Sequence, residues 1–245
     1  MPTVNLGFMT ELPAAVLWDM DGTLVDTEPY WLLAEAELVD SYGGVWTPED
    51  GLRLVGSGLW HSAGVLRGRG VTLTDDEVVA HLTDRVLEQI RLEVPWRVGV
   101  VELLDDLRRA GVRMAMVTMS VRRMAEYVAS ALPFDAFDVI VAGDEVTHSK
   151  PHPEPYLRAA DLLGVLPEDC IAIEDSAPGL ASAGAAGAVC IGVPLHVALD
   201  AGAGYVLWST LEGTTAADIA LVYGTDTASM ARAETTTATA ERGAA

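Results

Sequence analysis

The sequence predicts an α/β fold: a Rossmann-like parallel sheet with helices on both faces, and a small helical cap inserted after the first strand. Three observations carry this. From about residue 97 onward, short apolar runs alternate with segments of helical spacing. Strands buried on both faces of a parallel sheet read as such unbroken apolar runs. One further run, AAVLW at residues 14–18, stands apart near the start of the chain, and the stretch between shows helical spacing and no strand.

Taken in order, residues 14–18 form the first strand and enter the turn DMDGT. Within 28–95, Trp31–Ser41 and Asp75–Leu92 have helical apolar spacing, separated by polar and Gly-rich breaks. Thr74-Asp75-Asp76-Glu77 reads as a helix start, with acids in the first turn where the helix dipole favours them. The alternating part begins with a helix at 99–110 that ends at Gly111. A strand at 112–118, a helix at 121–131, a strand at 138–142 and a helix at 153–163 that stops at Gly164 follow. Then come a strand at 170–174, a helix at 178–186, a strand at 188–193 and a last strand at 204–208. The expected division is a core of residues 12–27 and 96–215, with 28–95 as the cap over the carboxyl edge of the sheet. Residues 226–245, rich in Ala, Thr and Glu without apolar periodicity, are expected to be a disordered tail.

Half of the 245 residues are apolar, enough for a large core, and the formal net charge is −21. That charge argues against nucleic acid or anionic membrane surfaces as partners. No apolar run approaches the roughly 20 residues of a membrane span. The first residues, MPTVNLGFMTELP, lack the basic flank and apolar stretch of a signal peptide. A cytoplasmic monomer is expected. Cys170 and Cys190 each lie in an apolar run and read as buried thiols, which suits a reducing compartment. Against 14 Arg there is a single Lys, Lys150. It marks either chance or a position that needs a compact ammonium rather than a guanidinium.

Four strand ends carry chemistry-bearing residues. Asp19 and Asp21 follow the first strand and point the same way on extended backbone, and Gly22 permits a sharp turn. Paired carboxylates there need a cation or a proton between them; the alternative is a plain acidic turn. Thr118 follows the strand MAMV, where its hydroxyl and the amide of Met119 can hold phosphate beside a helix start or simply cap the helix. Lys150 sits in HSKPHPEPY, its loop stiffened by Pro151 and Pro153. Glu174 and Asp175 end the strand of IAIEDSAPGLASAGAAG, and such acids suit an oxygen-ligated metal or a helix cap. In open α/β sheets ligands bind at that carboxyl edge, where all four ends converge.

With DMDGT, Thr118, Lys150 and Glu174-Asp175 in this order, the chain resembles the haloacid dehalogenase superfamily, over residues 14–27 and about 96–210. The helical insertion is similar to that family's cap. The resemblance implies a Mg²⁺-dependent phosphatase acting on a small-molecule phosphate ester. Asp19 would be the nucleophile that forms an aspartyl-phosphate, and Asp21 the general acid/base. Thr118, Met119 and Lys150 would hold the phosphate. Asp19, the backbone carbonyl of Asp21 and Asp175 would ligate the metal, with Glu174 direct or one step behind. The sequence departs from the family at Met119, where Asn commonly follows the Thr.

DTEPYW (Asp26–Trp31), HSKPHPEPY and IAIEDS are similar to the segments of hexose and hexitol phosphate phosphatases. Beta-phosphoglucomutases share the frame but use a cap Lys and an early cap His. Here the cap has no Lys, and Trp31 stands at the His position, although Arg53 remains available to a sugar phosphate. Phosphoryl transfer of the mutase type is the alternative, and a silent binding protein on the same fold a more distant one, since all the acids and the Lys are present. Val55–Gly64 (VGSGLWHSAG) reads either as a specificity loop offering Gly56, Ser57, Trp60 and His61, or as a helix connection with Trp60 in the core. Glu28 is expected to touch substrate or cap a hinge, and His148 and His152 to stabilise the Lys150 loop.

Overall fold

The computed structural model describes residues 11–201 and 204–225. Its central strands are the apolar runs. Ala15–Trp18 (β1), Cys170–Glu174 (β4) and Val189–Gly192 (β5) are buried throughout, and Arg113–Val117 (β2) exposes only Arg113. Val139–Val141 (β3) and Val206–Leu207 (β6) form the edges. Among the described residues the sheet runs β3-β2-β1-β4-β5-β6 with every pair parallel. The chain builds outward from β1 in one direction and then, from β4, in the other. The switch lies between β1 and β4, and the crevice beyond their carboxyl ends is where such sheets bind ligands. Register fixes what meets there: Trp18 pairs with both Met116 and Ile173, so Asp19, Val117 and Glu174 leave the sheet at one level.

Period-two alternation sends strand residues to two faces. Ala15, Leu17, Ala115, Val117, Cys170 and Ala172 pack under Glu154–Leu163 (α7) and Ala177–Ala186 (α8). Val16, Trp18, Met114, Met116, Ile171 and Ile173 pack on the other face with Val100–Arg109 (α5), Arg122–Ser130 (α6) and the helix at 216–225 (α9). Both cysteines are buried as thiols on the α7/α8 side.

Between β1 and β2 lie Glu28–Ser41 (α1), Pro48–Leu52 (α2), Leu59–Arg67 (α3) and Asp75–Leu92 (α4). The apolar faces of α1, α3 and α4 belong to the same continuous core as α5 and α6. Reciprocal side chain–backbone caps at Thr47/Asp50 and Thr74/Glu77 start α2 and α4. Among the described residues, no helix is long and apolar enough to cross a membrane.

The bounds of β1–β6 and α4–α8 fall within two residues of those read from the sequence. Four elements differ, one of them the five-residue α2, which the sequence does not announce. The first helix starts at Glu28 rather than Trp31, because Pro29 is tolerated in a first turn whose N–H has no partner. Only the first half of Val55–Gly64 is loop, since α3 begins at Leu59. Trp60 is not in the core: it is exposed, and its Nε1 donates to Asp76 Oδ1 at 2.7 Å. Helix α9 was not anticipated; it is capped by Thr215 and Asp218, whose carboxylate accepts from the Thr215 amide and hydroxyl. The expected tail at 226–245 lies outside the described residues.

Candidate active site

Lys150 reaches the sheet edge from the loop before α7, with its side chain only 2% exposed. Its Nζ donates to Asp19 Oδ1 (2.7 Å), Glu174 Oε1 (2.6 Å) and the Val117 carbonyl (2.8 Å). All three donors of the ammonium are thereby used, on three acceptors from separate segments that the planar fork of a guanidinium does not match. Glu174 is fully buried and its two oxygens are engaged: Tyr156 Oη also donates to Oε1 (2.5 Å), and Ser176 Oγ donates to Oε2 (3.1 Å). Burial acts against the Lys150 charge, but Asp19 and Glu174 outweigh it and raise its pKa. Burial, then the nearby carboxylates, raise the Tyr156 pKa, so the phenol stays a donor.

Asp21 is held by four donors. Thr27 Oγ1 (2.6 Å) and Trp31 Nε1 (3.2 Å) reach Oδ1; Thr118 Oγ1 (3.1 Å) and Ser120 Oγ (2.7 Å) reach Oδ2. Thr118 is itself fully buried, and its hydroxyl also accepts from the Ser120 amide at 3.0 Å. In this arrangement the Thr118 hydroxyl faces Asp21, while Met119 and Ser120 line the cavity. Gly22, at φ +86°, carries the turn after Asp21; a Cβ there would sit 2.0 Å from Asp175 Oδ2.

The residues present fit a divalent cation. Asp19, Glu174 and Asp175 bring carboxylate oxygens within 4.8 Å of one another, all buried. Asp19 Oδ2 is buried with no hydrogen-bond partner. The one buried ammonium bonds Asp19 and Glu174 but not Asp175, which leaves negative charge in a desolvated place. Burial first, then repulsion from Glu174, push Asp19 up to about 7 against the pull of Lys150. Burial and Asp19 push Asp175 up as well.

The opposite wall of the same cavity comes from the helices over the sheet edge. Glu28, Trp31 and Glu35 form one stripe of α1 at i, i+3, i+7, and all three line the cavity, as do Gly56 and Ser57. Gly56, at φ +76°, lies so close to the core that a Cβ would stand 2.7 Å from Ser176 Oγ. His61 is exposed and does not line this cavity; it borders a neighbouring groove with His148 and His152. Arg53 points to solvent beside Asp50 and is likewise absent from the lining. Arg97 ties the two sides of the sheet edge together: its Nη1 donates to the Gly22 and Val193 carbonyls (2.6 and 2.7 Å).

Thus Asp19, Asp21, Met119, Lys150, Asp175, Glu28, Gly56 and Ser57 surround one cavity, with Thr118 and Glu174 directly behind it. Sequence reasoning gave no role to Ser120, Tyr156, Glu35 or Arg97. Tyr156 stood in the quoted HSKPHPEPY, and the stripe at 28, 31 and 35 was open to a helical-spacing argument. Arg97 carried no local signal, since its acceptors are main-chain carbonyls distant in sequence.

Residues 13–187 match the haloacid dehalogenase-like hydrolase family. The chain belongs to that family. It is 37% identical to Protein CbbY of Rhodobacter capsulatus over 186 residues, 71% of this chain and 82% of that protein. Hexitol phosphatase B of Escherichia coli is 31% identical over 188 residues, 74% and 83% of the two chains. The crystal structure of a CbbY point mutant from Rhodobacter sphaeroides in complex with xylulose-(1,5)bisphosphate superposes with a TM-score of 0.75 at 30% identity, covering 82% of this chain and 96% of that one. Haloacid dehalogenase-like hydrolases thus share both the sequence and the fold of this protein.

Proposed function

We propose that this hydrolase is a Mg²⁺-dependent phosphatase that cleaves a small phosphomonoester, a sugar or polyol phosphate, through an aspartyl-phosphate on Asp19. The observation that carries the reading is Lys150: the sole lysine of the chain, buried against Asp19, while the other oxygen of that carboxylate stays open. The names of relatives such as Hexitol phosphatase B support the substrate class.

The phosphate binds at the amides of Met119 and Ser120 ahead of α6, with the Lys150 ammonium giving up one of its three protein acceptors and the Thr118 hydroxyl turning from Asp21 to meet it. The Asp19 carboxylate attacks phosphorus as the bond from phosphorus to the alcohol oxygen breaks. Asp21 gives that oxygen its proton. Water then attacks the phosphorus, passes a proton to Asp21, and the bond from phosphorus to Asp19 breaks to release inorganic phosphate. Mg²⁺, held by Asp19, Asp175 and the main-chain carbonyl of Asp21, would offset repulsion between Asp19 and the phosphate dianion. Both oxygens of Glu174 are engaged by protein donors, which favours a place behind the metal rather than on it. Residues 28–95 act as the cap that closes over the leaving alcohol, on a core of 12–27 and 96–215.

The absence of a Lys in the cap, and the solvent-facing Arg53, favour hydrolysis over the mutase alternative. Hydrolysis of 4-nitrophenyl phosphate with Mg²⁺ tests the reading. Asp19→Asn should lower turnover at least about 10³-fold without a loss of fold. A variant as active as the wild type would remove Asp19 as nucleophile. Conversion of β-glucose 1-phosphate to glucose 6-phosphate, rather than release of phosphate, would establish the mutase instead.

A further inference from the structure

The cavity has a chemical asymmetry that the proposed reaction leaves unused. Its inner end carries Lys150. Its cap wall carries Glu28 and Glu35, and five lining residues are carboxylic (Asp19, Asp21, Glu28, Glu35, Asp175) against one Lys or Arg. Glu35 is 5% exposed and is placed by two neighbours. Trp46 Nε1 donates to its Oε2 at 3.1 Å, and Gly51 leaves it room, since a Cβ there would stand 2.9 Å from that oxygen. No cation among the described residues offsets Glu35 or Glu28. The cap arginines Arg53 and Arg69 are both turned to Asp50.

Glu35 lines the cavity and takes one donor from the protein, on Oε2, which leaves its other oxygen to whatever fills the cavity. A hydroxyl supplies what is missing in either protonation state: it donates to a carboxylate and accepts from a carboxylic acid. A phosphate group brings no counter-charge, so once these carboxyls are ionised it is repelled. We propose that Glu35, seconded by Glu28, is a specificity-determining residue that reads a hydroxyl of the leaving alcohol and rejects any substrate carrying a second phosphate at that end. This rests on the phosphatase reading for its chemistry. It separates this chain from the CbbY structure, whose ligand is a bisphosphate. Burial raises Glu28 to about 8 and Glu35 to about 7, in keeping with a wall that lacks cations.

The test compares fructose 1-phosphate, fructose 1,6-bisphosphate and 4-nitrophenyl phosphate on the full chain with Mg²⁺ at about pH 9, where Glu28 and Glu35 are ionised. The wild type should favour the monophosphate over the bisphosphate by about 100-fold in kcat/KM. Glu35→Gln keeps hydrogen-bonding capacity and removes the charge, so it should narrow that ratio about tenfold by accelerating the bisphosphate. Glu35→Leu should raise KM for fructose 1-phosphate about tenfold more than KM for the aryl phosphate, which a merely structural role would not do. Equal rates on the two sugar phosphates, or an unchanged ratio in Glu35→Gln, overturn the proposal. If Glu35→Gln does not fold, Glu28→Gln must shift the same ratio. If the wild type hydrolyses none of the three, the phosphatase reading fails separately. Melting-temperature shifts with Mg²⁺ then decide: stabilisation by fructose 1-phosphate alone upholds the specificity wall, and equal stabilisation by the bisphosphate refutes it.

Discussion

Lys150, Glu174 and Tyr156 form a unit in which each polar atom answers another in a dry interior. Tyr156→Phe removes one donor from Glu174 without changing shape, and should cost about 1–3 kcal/mol in urea unfolding. Lys150→Met leaves Asp19 and Glu174 buried together without a cation, and should cost more, about 3–5 kcal/mol. Glu28 offers a pH test. Burial first, then Glu35, Asp21 and Asp26, raise it from 4.5 to about 8. The folded chain therefore keeps a proton that the unfolded chain releases near 4.5. The stability tied to this group is present below about 4.5 and declines as pH rises toward 8. In metal-free protein, Glu28→Gln should gain in melting temperature over the wild type at pH 8 and lose that gain by pH 5. An equal difference at both pH values would contradict the shift. At this scale the sequence disclosed Asp19, Asp21, Lys150 and Asp175, because short motifs at strand ends announce them. It hid Tyr156, Ser120 and Glu35, whose roles depend on which side chains meet across distant segments.

Among the helices, α8 shows propensity and packing in opposition. Gly179 lies in its first turn, and replacing a helical Gly with Ala ordinarily gains about 1 kcal/mol. Here a Cβ would lie 2.0 Å from Glu174, whose carboxylate is already held by Lys150, Tyr156 and Ser176. Gly179→Ala should therefore lower both melting temperature and phosphate release, and a stabilised, active variant would refute the argument. Elements with unbroken apolar runs or long helical spacing were legible from residues alone, as β1, β4 and α4 illustrate. Leu59–Arg67 was not, because Gly56, Ser57 and Gly58 just before it signal a loop and its nine residues offer little periodicity. Helix α9 escaped for a similar reason: short, and opened by a Thr215–Asp218 cap inside a Gly- and Thr-rich stretch.

Across the whole molecule, the two crossings between core and cap run side by side. The Asp26 amide donates to the Pro95 carbonyl (2.8 Å), and the Arg97 amide donates to the Leu24 carbonyl (3.0 Å). Gly56 against Ser176 and Gly58 against Ser149 close the far side. The order of strands was inferable only as parallel alternation; that β1 lies between β2 and β4 is a matter of three-dimensional pairing. The net charge of −21 acts at this scale too. Self-repulsion at that charge should be screened by salt, so the melting temperature should rise between about 0.05 and 0.5 M NaCl by roughly a few degrees. A fall would mean that surface pairs such as Arg85–Glu37 (2.7 Å) outweigh it.

One consequence follows from the seclusion of Lys150. Apart from the terminal α-amine, its Nζ is the one primary amine in the chain, and the folded protein holds it as an ammonium between Asp19 and Glu174, without the free electron pair that attacks an acyl group. An acylating reagent should leave it untouched while the protein stays native and capture it each time the chain opens. The extent of acylation at this single residue, read by mass, would then record how often the molecule unfolds under working conditions.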